Sequence, residues 1–429
     1  MNTRPNFLVI TTDQQHHTAV SSLGNKYLST PGIDRIYENG TVYSNAYSTN
    51  PVCGPARSSL LTGCMPCETG VYNNGMNIRK GIPNIGQCFS SSGYNTVFSG
   101  KWHLRENFSS IIDGFDVLMT GINIQANASD TGITSSIEAF LRNYDSEKPF
   151  MAMAMYVQPH DICGFVNYFT NETDLLYEIP DEELPPLPAN FNAEPAEPEK
   201  FKFFKSKIPS SRGHWDEKKW RYYLWHYYRY VEGVDCEISR LMDVLEETGL
   251  SENTIIVFAS DHGENTANHR TVLKTTLYNE SCRVPMAILN PKDSKMKIIK
   301  KPVSLMDIFP TMCDFAGIDP PPNMTGLNLN STEIDRSGVP IESYGGKGRA
   351  YITDRYKYIA FNDDDQAQLF DLVKDPYETI NLYGNPEYAD ISAELARAMD
   401  NSFDSMNMAE CLPEDSRWRN NFNPPYSLV

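Results

Sequence analysis

Runs of apolar and β-branched residues recur along the chain at 7–12, 150–157 and 254–260, and the stretch 93–100, centred on Thr96-Val97-Phe98, reads as a fourth short buried strand. Runs of this length without polar alternation predict short strands buried on both faces of a sheet. Residues that carry chemistry follow each of them: Asp13-Gln14, then Lys101 and His103, then His160 after Gln158-Pro159, then Asp261-His262. Open α/β sheets keep their ligands at the carboxyl ends of the strands. A lone Asp after a strand is more often a turn former, but here a second strand delivers a second one.

The intervening segments read as helices and loops. Start and stop signals frame a helix from Thr30-Pro31 to Asn39-Gly40, with Ile33 and Ile36 on its inner face, and 42–47 reads as one strand. Tyr223, Tyr227, Val231, Val234, Ile238, Leu241 and Leu245 recur at helical steps, and Gly249 stops that long helix. The aromatic residues at its start are expected to pack on the sheet. Met151, Met153 and Met155 fit core filling at strand spacing. Residues 171–213, rich in Pro, Glu and Lys, predict an ordered but irregular insertion over the active-site face, a source of substrate selectivity. Beyond 340 the pattern shifts to short strands at 350–353, 357–361 and 368–371 and a helix over 386–406. The expected division is therefore 1–338 and 339–429, with the tail after Met408 wrapping the surface.

The stretch Pro51-Val52-Cys53-Gly54-Pro55-Ala56-Arg57-Ser58-Ser59-Leu60-Leu61-Thr62-Gly63 places Cys53 where an irregular segment turns into a helix. Pro55 suits a first turn and Gly63 a C-terminus. Free backbone N–H groups, the helix dipole and Arg57 would together favour an anion, or a nucleophile that attacks one.

Composition narrows the partners. In 429 residues, 37 basic and 55 acidic side chains give a net charge of −18, which argues against nucleic acid. It also fits a small or end-on substrate in a locally basic pocket better than a highly charged anionic polymer. No apolar run of 18 residues exists, so no transmembrane helix and no membrane partner are expected. The start at Met1 lacks a signal-peptide core, which predicts a cytoplasmic protein, although a trimmed secreted form would begin the same way. Nine cysteines, an odd count, fit reduced thiols, and Cys64 and Cys67 read as incidental. The Asn107 and Asn171 sequons would then carry no glycan.

Cys-x-Pro-x-Arg at 53–57, followed by Ser-x-Leu-x-Thr-Gly at 58–63, resembles the modification signature of the type I sulfatases. Further family-like stretches follow in family order: Asn6 to Gln14, Gly93-Tyr94-x-Thr96 with Gly100-Lys101-Trp102-His103, Ser260-Asp261-His262-Gly263-Glu264, and Leu369-Phe370-Asp371-Leu372 with Asp375-Pro376-Tyr377-Glu378. The resemblance implies an alkaline-phosphatase-like α/β fold, a mixed sheet sandwiched by helices with a small C-terminal antiparallel sheet plus helix. It implies hydrolysis of an O- or N-sulfated small molecule, with a sugar the first expectation. The nucleophile would be the hydrated formylglycine that a maturation enzyme makes from Cys53.

By the same resemblance Asp13, Gln14, Asp261 and His262, with the modified Cys53, bind one divalent metal ion. Arg57 and Lys101 hold the diol, His103 orients it and later takes a proton, and Lys274 and His160 face the sulfate and its bridging oxygen. Oxygen donors suit calcium or magnesium. The commonest family pattern has Asp at position 14 and often Asn at 262. Gln14 removes a negative charge and His262 offers a nitrogen, so manganese stands second to calcium. The Asp-Gln and Asp-His pairs also resemble relatives that hydrolyse phosphonate monoesters and phosphodiesters, which keeps that activity as the alternative. A catalytically inactive binding module on the same scaffold is the second alternative, and the intact site positions count against it.

Overall fold

A computed structural model of the chain describes residues 4–104, 111–120, 126–169, 177–207, 215–331, 336–362 and 364–408. Asn107, Asn171, parts of the 171–213 insertion and the tail after Met408 lie outside them.

The apolar runs form the centre of an eight-stranded sheet. Its order is Lys297–Ile299, Thr41–Tyr43, Met286–Leu289, Thr254–Ser260, Asn6–Thr12, Phe150–Met155, Asn95–Gly100 and Asp116–Thr120. Asn6–Thr12 pairs in parallel with both Thr254–Ser260 and Phe150–Met155, which pairs in parallel with Asn95–Gly100. Thr12 stands opposite Ser260, Thr11 opposite Met155, and Met155 opposite Gly100. The four strands therefore end at nearly one level, and the residues after them emerge side by side. Gly100 permits this: its φ is +119°, and a Cβ there would meet the Met155 carbonyl oxygen at 2.1 Å.

Burial on both faces explains the lack of polar alternation. Leu8, Ile10, Ala152, Ile256 and Phe258 pack on one side against Ile33 and Ile36, Ile133 and Ile137, and Val234, Ile238 and Leu241 of the long helix Glu217–Glu247. Phe7, Val9, Met151, Met153, Met155 and Val257 pack on the other, with Leu60 and Leu61 of the Cys53 helix and Phe309 and Met312 of Ile308–Ala316. The three methionines are core residues. The aromatic start of the long helix does not pack on the sheet as expected: Trp220, Tyr222, Tyr223 and Tyr227 are buried beyond the strand ends, against Ile162, Phe165 and Val166 and the loop residues Val272 and Leu273. Among the described residues no helix is long and apolar enough to cross a membrane, and all eight described cysteines are free thiols.

Three further expectations need correction. Residues 42–47 form two short strands, Thr41–Tyr43 and Ala46–Tyr47, in different sheets. The polar pair Ser44-Asn45 turns between them, with both Ser44 and Asn45 bonded to the segment 299–300. The insertion contains a helix, Glu199–Lys207, started by Pro198 and an acidic first turn. Its low amphipathicity hid it, yet Phe201 is buried against Tyr278, Tyr344 and Phe361. The C-terminal antiparallel sheet has a fourth strand, Val339–Ser343, beside Gly348–Ile352, Tyr356–Phe361 and Asp364–Asp371. Pro340 disguised it, but an edge strand tolerates proline. Helix Ala389–Asp404 covers this sheet through Leu395, Met399 and Phe403.

A buried ion pair joins that sheet to the loop following Lys274. Lys357 and Glu378, both without exposed surface, lie 2.7 Å apart. Lys357 also donates to Asn279 Oδ1, and Glu378 accepts the Asn279 backbone N–H. Replacing one member leaves the other charge buried and unpaired, which typically costs about 3–5 kcal/mol. Lys357→Met is expected to lose that much stability in denaturant unfolding, and a loss below about 1 kcal/mol, the scale of an exposed pair, would contradict this account of the join.

Candidate active site

The strand ends and the Cys53 helix meet in one buried pocket. The helix spans Cys53–Thr62 and closes on Gly63 in the left-handed conformation. At its start Pro55 has no N–H and the Gly54 N–H goes to Asn74 Oδ1 at 2.8 Å. The positive charge around Cys53 therefore comes mainly from side chains rather than from free helix N–H groups, which revises the sequence-based picture.

Arg57, fully buried, organises the pocket floor. Its Nη2 reaches Asp13 Oδ2 at 2.9 Å, its Nε reaches Asp261 Oδ2 at 3.0 Å, and its Nη1 donates to the Lys101 carbonyl at 2.9 Å. Lys101 Nζ approaches the same Asp13 Oδ2 at 2.8 Å. Both cations hold one oxygen of Asp13 and leave Oδ1 facing the Cys53 sulfur, 3.7 Å away. That sulfur also lies 3.2 Å from His262 Nε2 and 3.1 Å from Lys274 Nζ. His103 hydrogen-bonds to Cys53 as well. His262 Nδ1 faces the Gly263 carbonyl at 2.9 Å, so Nδ1 carries a proton and Nε2 is the nitrogen turned toward Cys53.

The electrostatics follow from this crowding. Burial and Asp13 push the Cys53 thiol up, but Lys274, Lys101 and His262 outweigh them and hold it well below its usual range. Asp13 is likewise held low against burial, by Lys101, His160, Lys274 and Arg57. Burial first, and Asp13 second, push Asp261 up to about 6. Burial pulls His160 well below the usual imidazole range, helped by Lys101 and Lys274, and it lowers His103 together with Lys101.

Asp13, Cys53, Asp261 and His262 present ligand atoms that all lie within 4.8 Å of one another. Two carboxylates, an imidazole nitrogen and the Cys53 side chain make a donor set that fits a divalent cation. Gln14, whose backbone takes a left-handed φ of 73°, turns its Oε1 toward the same space, where Lys274 Nζ approaches at 2.7 Å. The pocket thus gathers Asp13, Gln14, Cys53, Arg57, Lys101, His103, Asp261, His262 and Lys274, and the charge of His160 is felt by both Asp13 and Cys53.

Two neighbours carried no role in the sequence reading. Cys163 Sγ lies 3.4 Å from Gln14 Oε1, and nothing in its surroundings marked it. Glu264 is buried beneath Gln14 and bonds to it. Its place three residues after Asp261 was the one available signal.

Comparison with known proteins agrees with the fold. The Sulfatase family model matches residues 5–318, and the model for the N-sulphoglucosamine sulphohydrolase C-terminal region matches 340–404. A delta 4,5-hexuronate-2-O-sulfatase of Bacteroides thetaiotaomicron is 31% identical over 431 residues, covering 92% of this chain and 88% of its own. A structure solved in complex with its substrate D-glucosamine-2-N,6-O-disulfate is 25% identical with a TM-score of 0.75, covering 99% of this chain and 100% of that one. The phosphonate monoester hydrolase of Agrobacterium radiobacter shares the fold, at 20% identity and a TM-score of 0.79 over 94% of this chain and 96% of its own. With the strand-end carboxylates, the Cys53 helix and the C-terminal sheet all in place, the chain belongs to the type I sulfatases of the alkaline phosphatase superfamily and is a sulfuric ester hydrolase.

Proposed function

We propose that the protein hydrolyses the sulfate ester, or sulfamate, of a small saccharide through a formylglycine made from Cys53 by a maturation enzyme. The observation that carries this reading is the Cys53 sulfur at a helix start, 3.1 Å from Lys274 and 3.2 Å from His262. In the modified residue an oxygen on the same Cβ takes the place of that sulfur. The hydrated aldehyde supplies one hydroxyl to attack sulfur and a second whose deprotonation expels sulfate, while a bound divalent ion supplies positive charge beside them. Calcium is the expected ion and manganese the second, since His262 adds a nitrogen to the oxygen donors. The sugar specificity of the hexuronate and glucosamine relatives supports a saccharide substrate.

In this reading the chain's own residues do the rest. Arg57 and Lys101 fix Asp13 and hold the nucleophile, and His103, bonded to the Cys53 side chain, orients it and later accepts a proton. Lys274 and Lys101 concentrate positive charge where the transferring group gathers negative charge, in a site largely closed to water. His160 donates a proton to the departing alkoxide. Its pull toward the neutral form means that the anionic substrate itself must help recharge it. General acid catalysis contributes about 10²–10⁴-fold. His160→Ala should therefore cost a sugar sulfate roughly that factor in kcat, and an activated aryl sulfate far less. Equal losses for both would assign His160 to sulfate binding instead.

A phosphonate or phosphodiester hydrolase with the same nucleophile is the second reading, favoured by the neutral Gln14 amide in place of a carboxylate. Turnover of a panel of sulfated hexuronates and glucosamines beside an aryl sulfate and an aryl phosphonate separates the two. A sugar sulfate is expected to be the best substrate, and a preference for the phosphonate would overturn the proposal.

A further inference from the structure

From the hydrogen bonds around Gln14 we infer that Glu264 is a positioning residue, which fixes which end of the Gln14 amide faces the metal site. The inference rests on Asp13, Gln14, Asp261 and His262 holding a divalent ion.

Gln14 and Glu264 both lack exposed surface. Glu264 Oε2 accepts the Gln14 Nε2–H₂ group, while Glu264 Oε1 accepts the Tyr223 hydroxyl and the Leu273 backbone N–H. On the far side, Gln14 Oε1 receives Lys274 Nζ at 2.7 Å. The two neighbours admit a single orientation of the amide. A carboxylate without a proton can only accept and an ammonium can only donate. Nitrogen must therefore face Glu264, and oxygen must face Lys274 and the space shared with Asp13, Cys53, Asp261 and His262.

The same carboxylate reaches the Lys274 loop. Leu273, whose N–H it holds, has a left-handed φ of 65°, and Thr275 has 82°, conformations that a side chain makes costly. One buried side chain thus steadies both the neutral oxygen donor and the cation beside it. Tyr223, from the second turn of the long helix, fixes the carboxylate in turn.

Glu264→Gln separates orientation from packing because it keeps the shape of the side chain. Its carbonyl oxygen would stay with the two donors, Tyr223 and Leu273, so its N–H₂ would face Gln14. Gln14 would then have to turn, offering oxygen to position 264 and hydrogen atoms to the ion. Partners one step behind a metal ligand typically contribute about 10–100-fold in affinity. Calorimetric titration of the purified full-length protein with Ca²⁺ and with Mn²⁺ is expected to show a loss of that size in Glu264→Gln. In the Glu264→Gln background, adding Gln14→Glu restores the pattern, because the new carboxylate accepts from the amide and turns its second oxygen to the ion. Gln14→Glu alone sets two buried carboxylates oxygen to oxygen and is expected to weaken binding. The inference therefore predicts opposite signs for one substitution in two backgrounds, whereas a purely structural Glu264 would give effects that add.

Unchanged affinity in Glu264→Gln, or additive effects across the cycle, would overturn the inference. Should Glu264→Gln fail to fold, the double variant decides: folding with ion binding restored supports it, and a second failure makes Glu264 a scaffold residue only. An unaltered protein that binds neither ion would instead overturn the underlying metal assignment.

Discussion

Cys53→Ala is expected to lower kcat on a sugar sulfate by on the order of 10⁶-fold, the scale of loss when a covalent nucleophile is removed. Arg57, Lys101 and Lys274 remain in place, and Arg57 keeps its contacts to both Asp13 and Asp261. Substrate binding should therefore survive, with KM close to that of the parent enzyme. Cys53→Ser makes the chemistry visible. A serine oxygen can attack sulfur and expel the alcohol, but the resulting serine sulfate lacks the second hydroxyl whose deprotonation would expel sulfate. The variant should stop after one turnover and carry a stable sulfate on residue 53, detectable by intact mass. If Cys53→Ala retained turnover within about 10-fold of the parent, far from the scale of a lost nucleophile, Cys53 would not be the source of the nucleophile.

The second large effect is expected at Asp261. Its Oδ2 accepts from Arg57, and its Oδ1 accepts the backbone N–H groups of Gln14 and His262 at 3.0 and 2.8 Å. Burial and Asp13 push its carboxyl up to about 6, the cost of two carboxylates held at neighbouring strand ends. A divalent cation held by both carboxylates would offset that repulsion. Asp261→Asn keeps the shape but removes the charge, and it turns an N–H₂ group toward either Arg57 or the two backbone donors. Metal affinity should fall by more than the roughly 10–100-fold typical of a residue behind a ligand, and turnover should be lost with it. Metal analysis after gel filtration, beside the activity of the same sample, checks both together. A chelator-treated, metal-free parent enzyme with full activity would contradict the assignment.

Much of the site was legible because each of its parts is local. A short apolar run followed by Asp-Gln or Asp-His can be read without knowing which strands pair, and the parallel register then brings the parts together. The Cys53 helix carried its own start and stop signals. Elements governed by distant partners were harder to read. The turn at Ser44-Asn45 depends on bonds to a strand some 255 residues away. Strand Val339–Ser343 contains Pro340, and its edge position, which no local pattern reveals, makes the proline tolerable. Glu264 was hidden for the same reason, since its three donors come from residues 14, 223 and 273.

The central claim is that Cys53 is the precursor of the nucleophile, and mass spectrometry of the peptide spanning Cys53 tests it most directly. In protein purified in active form from its native host, that peptide is predicted to carry formylglycine, read as the aldehyde mass and captured by a hydrazide. An unmodified Cys53 thiol throughout a fully active preparation would contradict it.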